Sequence, residues 1–527
     1  MVLSAAAGRA HPGSGRWPAP VFPAGVEVPG PNRFKATRQL ETVAVLVDFA
    51  DNPADSARFC PARFDSMLYS TGIYTGQPYR QGSLRDFYLE NSYGQFSVVG
   101  GVAGNGWFRS NYNYSRYRDG NYMLSKGYQL ASENLQVVDQ YVDFRQYDLD
   151  GNDTIDAMFM VHAGADGADD GNVDHCWSHA IPWFDYMTDD GVVIAGVTNV
   201  PEFALVGAAR DTTMCCIATM SHELGHLAGL PDLYDYSRNT WGVGYWGLMG
   251  YGAWGAGGNT PWSPSHMEAW SKVTAGFVTP VVIARDTHDL RIVDVETHPV
   301  IYKVWRGGAD GDTCFYLENR QRKGFDTPLP GAGLLIWHID PSLGSDDDIV
   351  DLEEDSTFHL DHGLGVRPDP HQYHDTLGRD SDPLPGSWAR TSFDDNSVPN
   401  SRDNNGDPTG VSIENVRLAG DTVICDVLVG INGVAQRGTR PASAQRRATA
   451  GPNPFRAALA IALPPAPRTT VSIYNCTGAL VRRVNGRGGS LSWDGRDGAG
   501  RQTPSGLYLL RIEQPGFTQT LKVLRLK

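Results

Sequence analysis

No run of eighteen or more apolar residues occurs anywhere in the 527-residue chain, so nothing in it reads as a membrane-spanning helix. Cysteine is scarce. The seven present are too few for a disulfide scaffold and odd in number, which leaves at least one thiol free or paired between chains. Cys176 bridged to one of the adjacent pair Cys215 and Cys216 is one arrangement, and ordinary buried positions are the other. Positive charge is in the minority: 44 Lys and Arg stand against 60 Asp and Glu, a formal charge of -16. That balance argues against nucleic acid or anionic lipid as a partner and suits divalent cations. Residues 1–30 contain no apolar run of signal-peptide length, so the start reads as truncated or misassigned and the export route stays open. Glycine (60), proline (33), tryptophan (13) and tyrosine (22) are abundant, as in a loop-rich, aromatic, largely β protein of the secreted kind. A chain of this length exceeds one core and implies two to four domains.

The most informative stretch is HELGHLAGLPDLYDY, residues 222–236. On a helix His222 and His226 project from one face, one turn apart, so both imidazoles reach a single cation. Glu223 is then placed to take a proton from a metal-polarised water and pass it to a leaving amine. Gly229 can adopt positive φ and end the helix, Pro231 blocks its resumption, and the returning chain brings Asp232 toward the metal as third ligand. Asp232 as a helix-end cap, or as an ion ligand with Asp235, is the competing reading, with Glu268 then supplying the third ligand. HExxH also occurs by chance on amphipathic helices, but HExxHxxGxxD fits the metzincin plan with aspartate in place of the third histidine. Residues 245–254, YWGLMGYGAW, put Met249 in a glycine-rich aromatic turn, as expected of a methionine turn beneath the zinc. Tyr251, two residues on, either swings its hydroxyl toward the oxyanion or belongs to the core.

These motifs, in this order, resemble the immune inhibitor A group of metallopeptidases, the M6 family, over roughly residues 40 to 430. VAVLVDFAD at 43–51, GSLRDFYLENSYGQFSV at 82–98, the loop YDLDGNDTID and YLENRQRKGFDTPLPGAGLLIWHID at 316–340 carry the resemblance beyond the zinc motif. It implies zinc on His222, His226 and Asp232, Glu223 as general base, Met249 in the turn, and a secreted endopeptidase with limited sequence preference. Relatives commonly begin with a signal peptide and propeptide; Cys60 reads as a structural cysteine rather than a thiolate that blocks the zinc.

Asp148, Asp150, Asn152, Thr154 and Asp156 alternate around Gly151 like the first part of a calcium-binding loop. Position 12 is Phe159 instead of a glutamate, so a calcium there needs a ligand from elsewhere; a plain Asx-rich turn is the alternative. Later acidic clusters lack a regular spacing and read as loops.

The expected fold class is an α+β metzincin-like zinc peptidase domain, a β-rich subdomain and a C-terminal immunoglobulin-like β-sandwich. The boundaries are a tail at 1–38, the catalytic domain at 39–280, the β-rich part at 281–432, a linker at 433–450 with almost no bulky apolar residue, and a final domain at 451–527. The last resembles FlgD-like and type IX sorting modules, which implies contact with a cell surface or secretion machinery. The function so read is a zinc-dependent, calcium-stabilised endopeptidase acting on proteins outside the cell or at its surface. A catalytically inactive adhesion protein on the same fold is the main alternative, against which the intact Glu223 speaks; hydrolysis of another bond, such as glycan deacetylation, is a third.

Overall fold

The computed structural model describes residues 39–527 apart from 76–79, 119–123, 168–171, 173, 183, 202–213, 235–241, 259, 344–348, 355–376, 431–448, 452–454, 457, 464–467, 476–478, 487–488, 515–516 and 527. The chain divides into two compact units, Met1–Asn432 and Gly433–Lys527.

The first unit is mixed α and β. Its strands begin with β1 (Gln39–Asp48), β2 (Ser97–Val102), β3 (Phe108–Arg109), β4 (Thr154–Ile155), β5 (Ala157–His162), β6 (His179–Ile181), β7 (Tyr186–Met187), β8 (Val193–Ile194) and β9 (Val197–Pro201). The central sheet has the order β2-β1-β5-β9-β6, with β3 beside β1; all pairs are parallel except β6 with β9. Parallel strands covered on both faces read as unbroken apolar runs, which is why VAVLVDF shows no alternation. Ala44 and Leu46 of β1 face one core, and Val43, Val45 and Val47 face another. Helix α1 (Pro61–Tyr69) and α2 (Leu84–Asn91) cover the first face; α3 (Leu124–Val138) covers the second through Leu130, Ala131, Leu135 and Val138. A capping box starts α2: Ser83 accepts from the Asp86 amide, and Asp86 accepts from the Ser83 amide.

Helix α4 (Ile217–Leu227) carries the histidine motif on the first face. It begins at Ile217, ahead of Thr219 and Ser221. Cys216 is the N-cap residue without a side-chain bond, and Ser221 turns its hydroxyl back to the Ile217 carbonyl at 2.7 Å. A mid-helix serine is satisfied in this way when no free amide is within reach. Helix α5 (Ala269–Thr274) follows.

Strands β10 (Val281–Val282), β11 (Thr287–Ile292), β12 (Tyr302–Val304), β13 (Cys314–Arg320), β14 (Gly333–Ile339), β15 (Val350–Leu352), β16 (Ser412–Ala419) and β17 (Thr422–Leu428) form sheets β10-β12-β13-β14-β15 and β11-β17-β16. Every residue of β13 and β14 is buried, not every second one. The cause is coverage on both faces: Phe315, Leu317, Leu334 and Ile336 pack against β16 and β17, while Tyr316, Leu335, Trp337 and Ile339 join the same core as α4. The region from 281 to 352 thus shares a core with the histidine helix.

On that shared face lies a buried ionic network. Arg320 is 0% exposed and donates to Asp326 at 2.9 and 2.6 Å, with Glu296 and Glu318 each at 3.4 Å. Its Nη1 also donates to the Trp246 carbonyl at 2.9 Å, in the turn beneath α4.

The second unit comprises β18 (Thr449–Gly451), β19 (Leu459–Leu463), β20 (Thr469–Asn475), β21 (Leu480–Gly486), β22 (Gly489–Trp493), β23 (Gly506–Gln514) and β24 (Phe517–Arg525) in two antiparallel sheets, β18-β19-β22 and β21-β20-β23-β24. Leu459, Ile461 and Trp493 of one sheet and Val471, Ile473, Leu510 and Ile512 of the other close on one core.

None of the six described cysteines is in a disulfide, so the Cys176 bridge to Cys215 or Cys216 does not form. Cys176 instead sets its thiol against the Tyr117 carbonyl at 3.4 Å, inside the core on the α3 side.

Removing one partner of a buried ionic network leaves uncompensated charge. Arg320→Met is therefore expected to lower the unfolding free energy by about 3–5 kcal/mol, with part of the loss restored by adding Asp326→Asn. Urea denaturation of the three chains measures this; a loss under about 1 kcal/mol would place the network among the dispensable ion pairs.

Candidate metal centre

The helix supplies the first two groups. His222 and His226 lie one turn apart with ring centroids 4.8 Å apart. Gly229, at φ +86°, then ends the helix: the Gly229 amide donates to the His226 carbonyl and the Leu230 amide to the Gly225 carbonyl. This reversal returns Asp232, whose Oδ1 lies 2.9 Å from His222 Nε2 and 3.3 Å from His226 Nε2. One ligand atom from each of the three falls within 4.8 Å of the others. Asp235 lies outside the described residues.

The other ring nitrogens are committed. His222 Nδ1 meets the Leu248 carbonyl at 3.0 Å and His226 Nδ1 meets the Leu230 carbonyl at 2.9 Å. A carbonyl only accepts, so each Nδ1 carries a proton and each Nε2 of a neutral ring turns a lone pair toward a carboxylate that has only lone pairs to offer. That geometry calls for a positive charge among the three atoms. The electrostatics agree: burial works against charge on both groups, yet the imidazoles hold the Asp232 carboxyl well below the usual range, and Asp232 and Glu223 raise His226 to about 9. A tetrahedral zinc with bonds near 2.0–2.2 Å sets its ligands about 3.3 Å apart, and two imidazoles with one carboxylate are a donor set that zinc prefers. The residues present fit the ion, with carbonyl acceptors behind both imidazoles.

Glu223 sits beside His222 on α4, 8% exposed, and its carboxylate has no hydrogen-bond partner among the described residues. Met249 is fully buried under the helix; a Cβ at Gly225 would meet its sulfur at 2.6 Å, so only glycine at 225 lets the turn approach. The same turn accepts from the Leu233 amide at 2.9 Å through the Met249 carbonyl, next to Asp232. From behind, the turn is held by the Trp246 indole on Asp382 at 2.9 Å, the Tyr245 amide on the Leu377 carbonyl and the Arg320 contact. Tyr88 of α2 donates to the Ser221 carbonyl at 2.7 Å.

Two tyrosine rings lie beside the ligands. Tyr234 stacks on His222 with centroids 6.4 Å apart, and Tyr251 packs on Tyr234 at 5.9 Å. Tyr234 lay in view within the quoted motif, two residues past Asp232, but only the chain reversal at Gly229 reveals its position. Glu268, the alternative third ligand, is used otherwise: it is the N-cap of α5 and accepts from the Ser271 amide at 2.7 Å. Its Oε2 is buried beneath Gly247 without a partner among the described residues, and burial pushes the carboxyl up to about 7.

The acidic loop is arranged differently from a simple alternating cage. Asp148 and Asp150 converge with Glu41 of β1, the three presenting oxygens within 4.8 Å of one another. Asp156 instead accepts from the Glu41 amide at 2.9 Å, and Asn152 turns its amide toward Asp150 at 2.9 Å. Burial and the neighbouring Asp150, Asp156 and Asp148 raise the Glu41 carboxyl. Glu41 was the carboxylate of this cluster that sequence reasoning missed; an acidic residue opening an otherwise apolar buried strand was its signal.

Two imidazoles and a carboxylate thus converge as candidate metal ligands on a mixed α/β unit. Residues 37–277 match the family described as immune inhibitor A peptidase M6, catalytic domain. The pre-pro-metalloprotease PrtV of Vibrio cholerae serotype O1, in strains M66-2 and ATCC 39315, is 30% identical over 252 residues, covering 40% of this chain. The chain spans only 27% of the length of those relatives. Among solved structures, FLGD from P. aeruginosa is 29% identical over 13% of this chain and 59% of that one, with a TM-score of 0.11. Dimeric latent PorU from Porphyromonas gingivalis is 21% identical over 20% of this chain and 11% of that one, with a TM-score of 0.13. Scores so low carry no argument about fold.

The raised Glu268 gives a pH signature. Its folded pKa of about 7 exceeds the 4.5 of an ordinary glutamate, so the stability tied to the proton is full below pH 4.5 and drains as pH rises through 7. Glu268→Gln keeps the cap acceptor without the charge, and its stability relative to the native chain should rise by about 3 kcal/mol between those limits. Denaturant midpoints of both chains across that range decide; parallel curves would show that Glu268 does not titrate there.

Proposed function

We propose that the chain is a zinc-dependent endopeptidase, secreted or held at a cell surface, that hydrolyses peptide bonds of extracellular proteins. The convergence of two Nε2 lone pairs and a carboxylate on one point, with both Nδ1 atoms tied to carbonyls, is the observation that carries this reading. His222, His226 and Asp232 hold the ion, which when bound supplies Lewis acidity toward a scissile carbonyl and an acidified water. Glu223 takes the proton of the attacking water on its carboxylate and returns it to the leaving amine nitrogen. The uncommitted carboxylate beside a ligand histidine supports that role. Met249 is the methionine turn of a metzincin-like catalytic domain, seating α4 from below. The oxyanion donor is assigned to the Tyr234 and Tyr251 pair, Tyr251 reaching substrate beside the ring that stacks on His222. The catalytic domain spans 39–280, with the β-rich part at 281–432 as its support and the linker at 433–450. The final domain, 451–527, is read as an immunoglobulin-like sandwich of the FlgD-like or sorting type.

Calcium is the second ion proposed, held by Asp148 and Asp150 with Glu41 in place of the absent position-12 glutamate, and braced by Asn152 and Asp156. Hard carboxylate oxygens and the mutual repulsion that raises Glu41 support it.

Casein hydrolysis tests the first reading. Glu223→Gln is expected to lower kcat/KM by about 10²–10⁴ while retaining zinc by elemental mass spectrometry, and chelation should abolish cleavage by the native chain. Zinc retained with no cleavage of any protein by the native chain would favour the adhesion reading instead. For calcium, the melting temperature of the native chain should rise on adding the ion and that of Glu41→Gln should rise much less; equal rises would remove Glu41 from the site.

A further inference from the structure

The formal charge of -16 averages two opposite halves. Residues 433–527 contain 15 Lys and Arg against 3 Asp and Glu, a formal charge of +12, whereas residues 1–432 contain 29 against 57, or -28. An asymmetry of this size marks the basic half as the one that meets a polyanion. We infer that the outer face of the sheet β21-β20-β23-β24 docks on an anionic lipid surface through Arg483, Arg511 and Lys522, with Leu480 and Leu507 entering the headgroup layer.

Strand alternation defines that face. Val471, Ile473, Leu510 and Ile512 point into the core, so Ser472, Tyr474, Leu507, Leu509, Arg511 and Glu513 point away from it. Register then places Arg483 and Arg511 on either side of Ser472, and Lys522 beside Leu509, itself opposite Tyr474. The Arg483 Nε donates to Ser472 Oγ at 3.3 Å, and Ser472 is buried although it lies on the outer side, covered by these long side chains. Glu513, the one carboxylate among the described residues of this face, pairs with Arg511 at 3.2 Å, and both are well exposed. Away from this face, Arg482 pairs with Asp494, Arg501 with Asp497, and Arg525 is buried on the Thr503 carbonyl and Gln502.

The apolar residues choose the occupant. Leu480 is 50% and Leu507 44% exposed, on the same side as the cations. Nucleic acid offers phosphates but no acyl layer, and single strands are gripped by stacking aromatics, of which the described residues of this face include only Tyr474. Exposed leucines among arginines and lysine match a surface of phosphate headgroups over hydrocarbon.

The test is flotation of the full chain with vesicles of phosphatidylcholine alone and of phosphatidylcholine mixed with phosphatidylglycerol. Binding is expected only to the mixed vesicles and should weaken with salt. Each cation removed should cost roughly fivefold, so Arg483→Gln, Arg511→Gln and Lys522→Gln together cost about a hundredfold. Leu480→Ser with Leu507→Ser should weaken binding without altering charge, which keeps the idea testable if the triple variant folds poorly. Arg482→Gln, Arg496→Gln and Arg501→Gln remove the same charge from elsewhere and should bind nearly as the native chain does. Casein cleavage in solution should be unchanged in all these variants. Equal binding to both vesicles, no binding to either, equal losses in the two triple variants, or tighter retention on duplex DNA would each overturn the proposal.

Discussion

One hydrogen bond joins the parts on which the site depends, from His222 Nδ1 to the Leu248 carbonyl at 3.0 Å. It fixes the imidazole so that Nε2 looks toward Asp232, and it fastens the histidine helix to the turn below. Around it the turn is fastened on every side: Met249 accepts from Leu233 beside Asp232, and the Trp246 carbonyl accepts from buried Arg320. A ligand helix alone would leave its histidines free to rotate; a turn pinned from behind removes that freedom before any ion arrives.

The pinning comes from sequence far downstream. Arg320, Asp326, Leu377 and Asp382 belong to the region that reads as a separate β-rich module, yet they hold the floor of the metal centre. This explains the cost the fold accepts in burying Arg320 with three carboxylates, an arrangement that apolar residues would often match in stability. Directional contacts to one backbone carbonyl are something that an apolar layer does not provide.

What could be read from the sequence follows distance along the chain. The His222, His226 and Asp232 triad is legible because a helix repeat and a glycine reversal are local geometry, compressed into eleven residues. The Ser83–Asp86 cap of α2 and the unbroken apolar run of β1 are local in the same way. Glu41 joining Asp148 and Asp150 was not, since more than a hundred residues separate them. The burial of β13 and β14 on both faces also escaped, because an antiparallel strand does not announce what covers its second side. Whole-chain charge is coarse for a different reason: a single sum conceals a basic segment attached to an acidic one.

The central claim is that two imidazoles and the Asp232 carboxylate bind one zinc. X-ray absorption at the zinc edge of the zinc-loaded chain tests it most directly. The account predicts nitrogen and oxygen neighbours at about 2.0–2.2 Å with the scattering pattern of two imidazole rings, lost in His226→Ala. A sulfur neighbour at about 2.3 Å, or a shell of oxygens with no imidazole contribution, would contradict it.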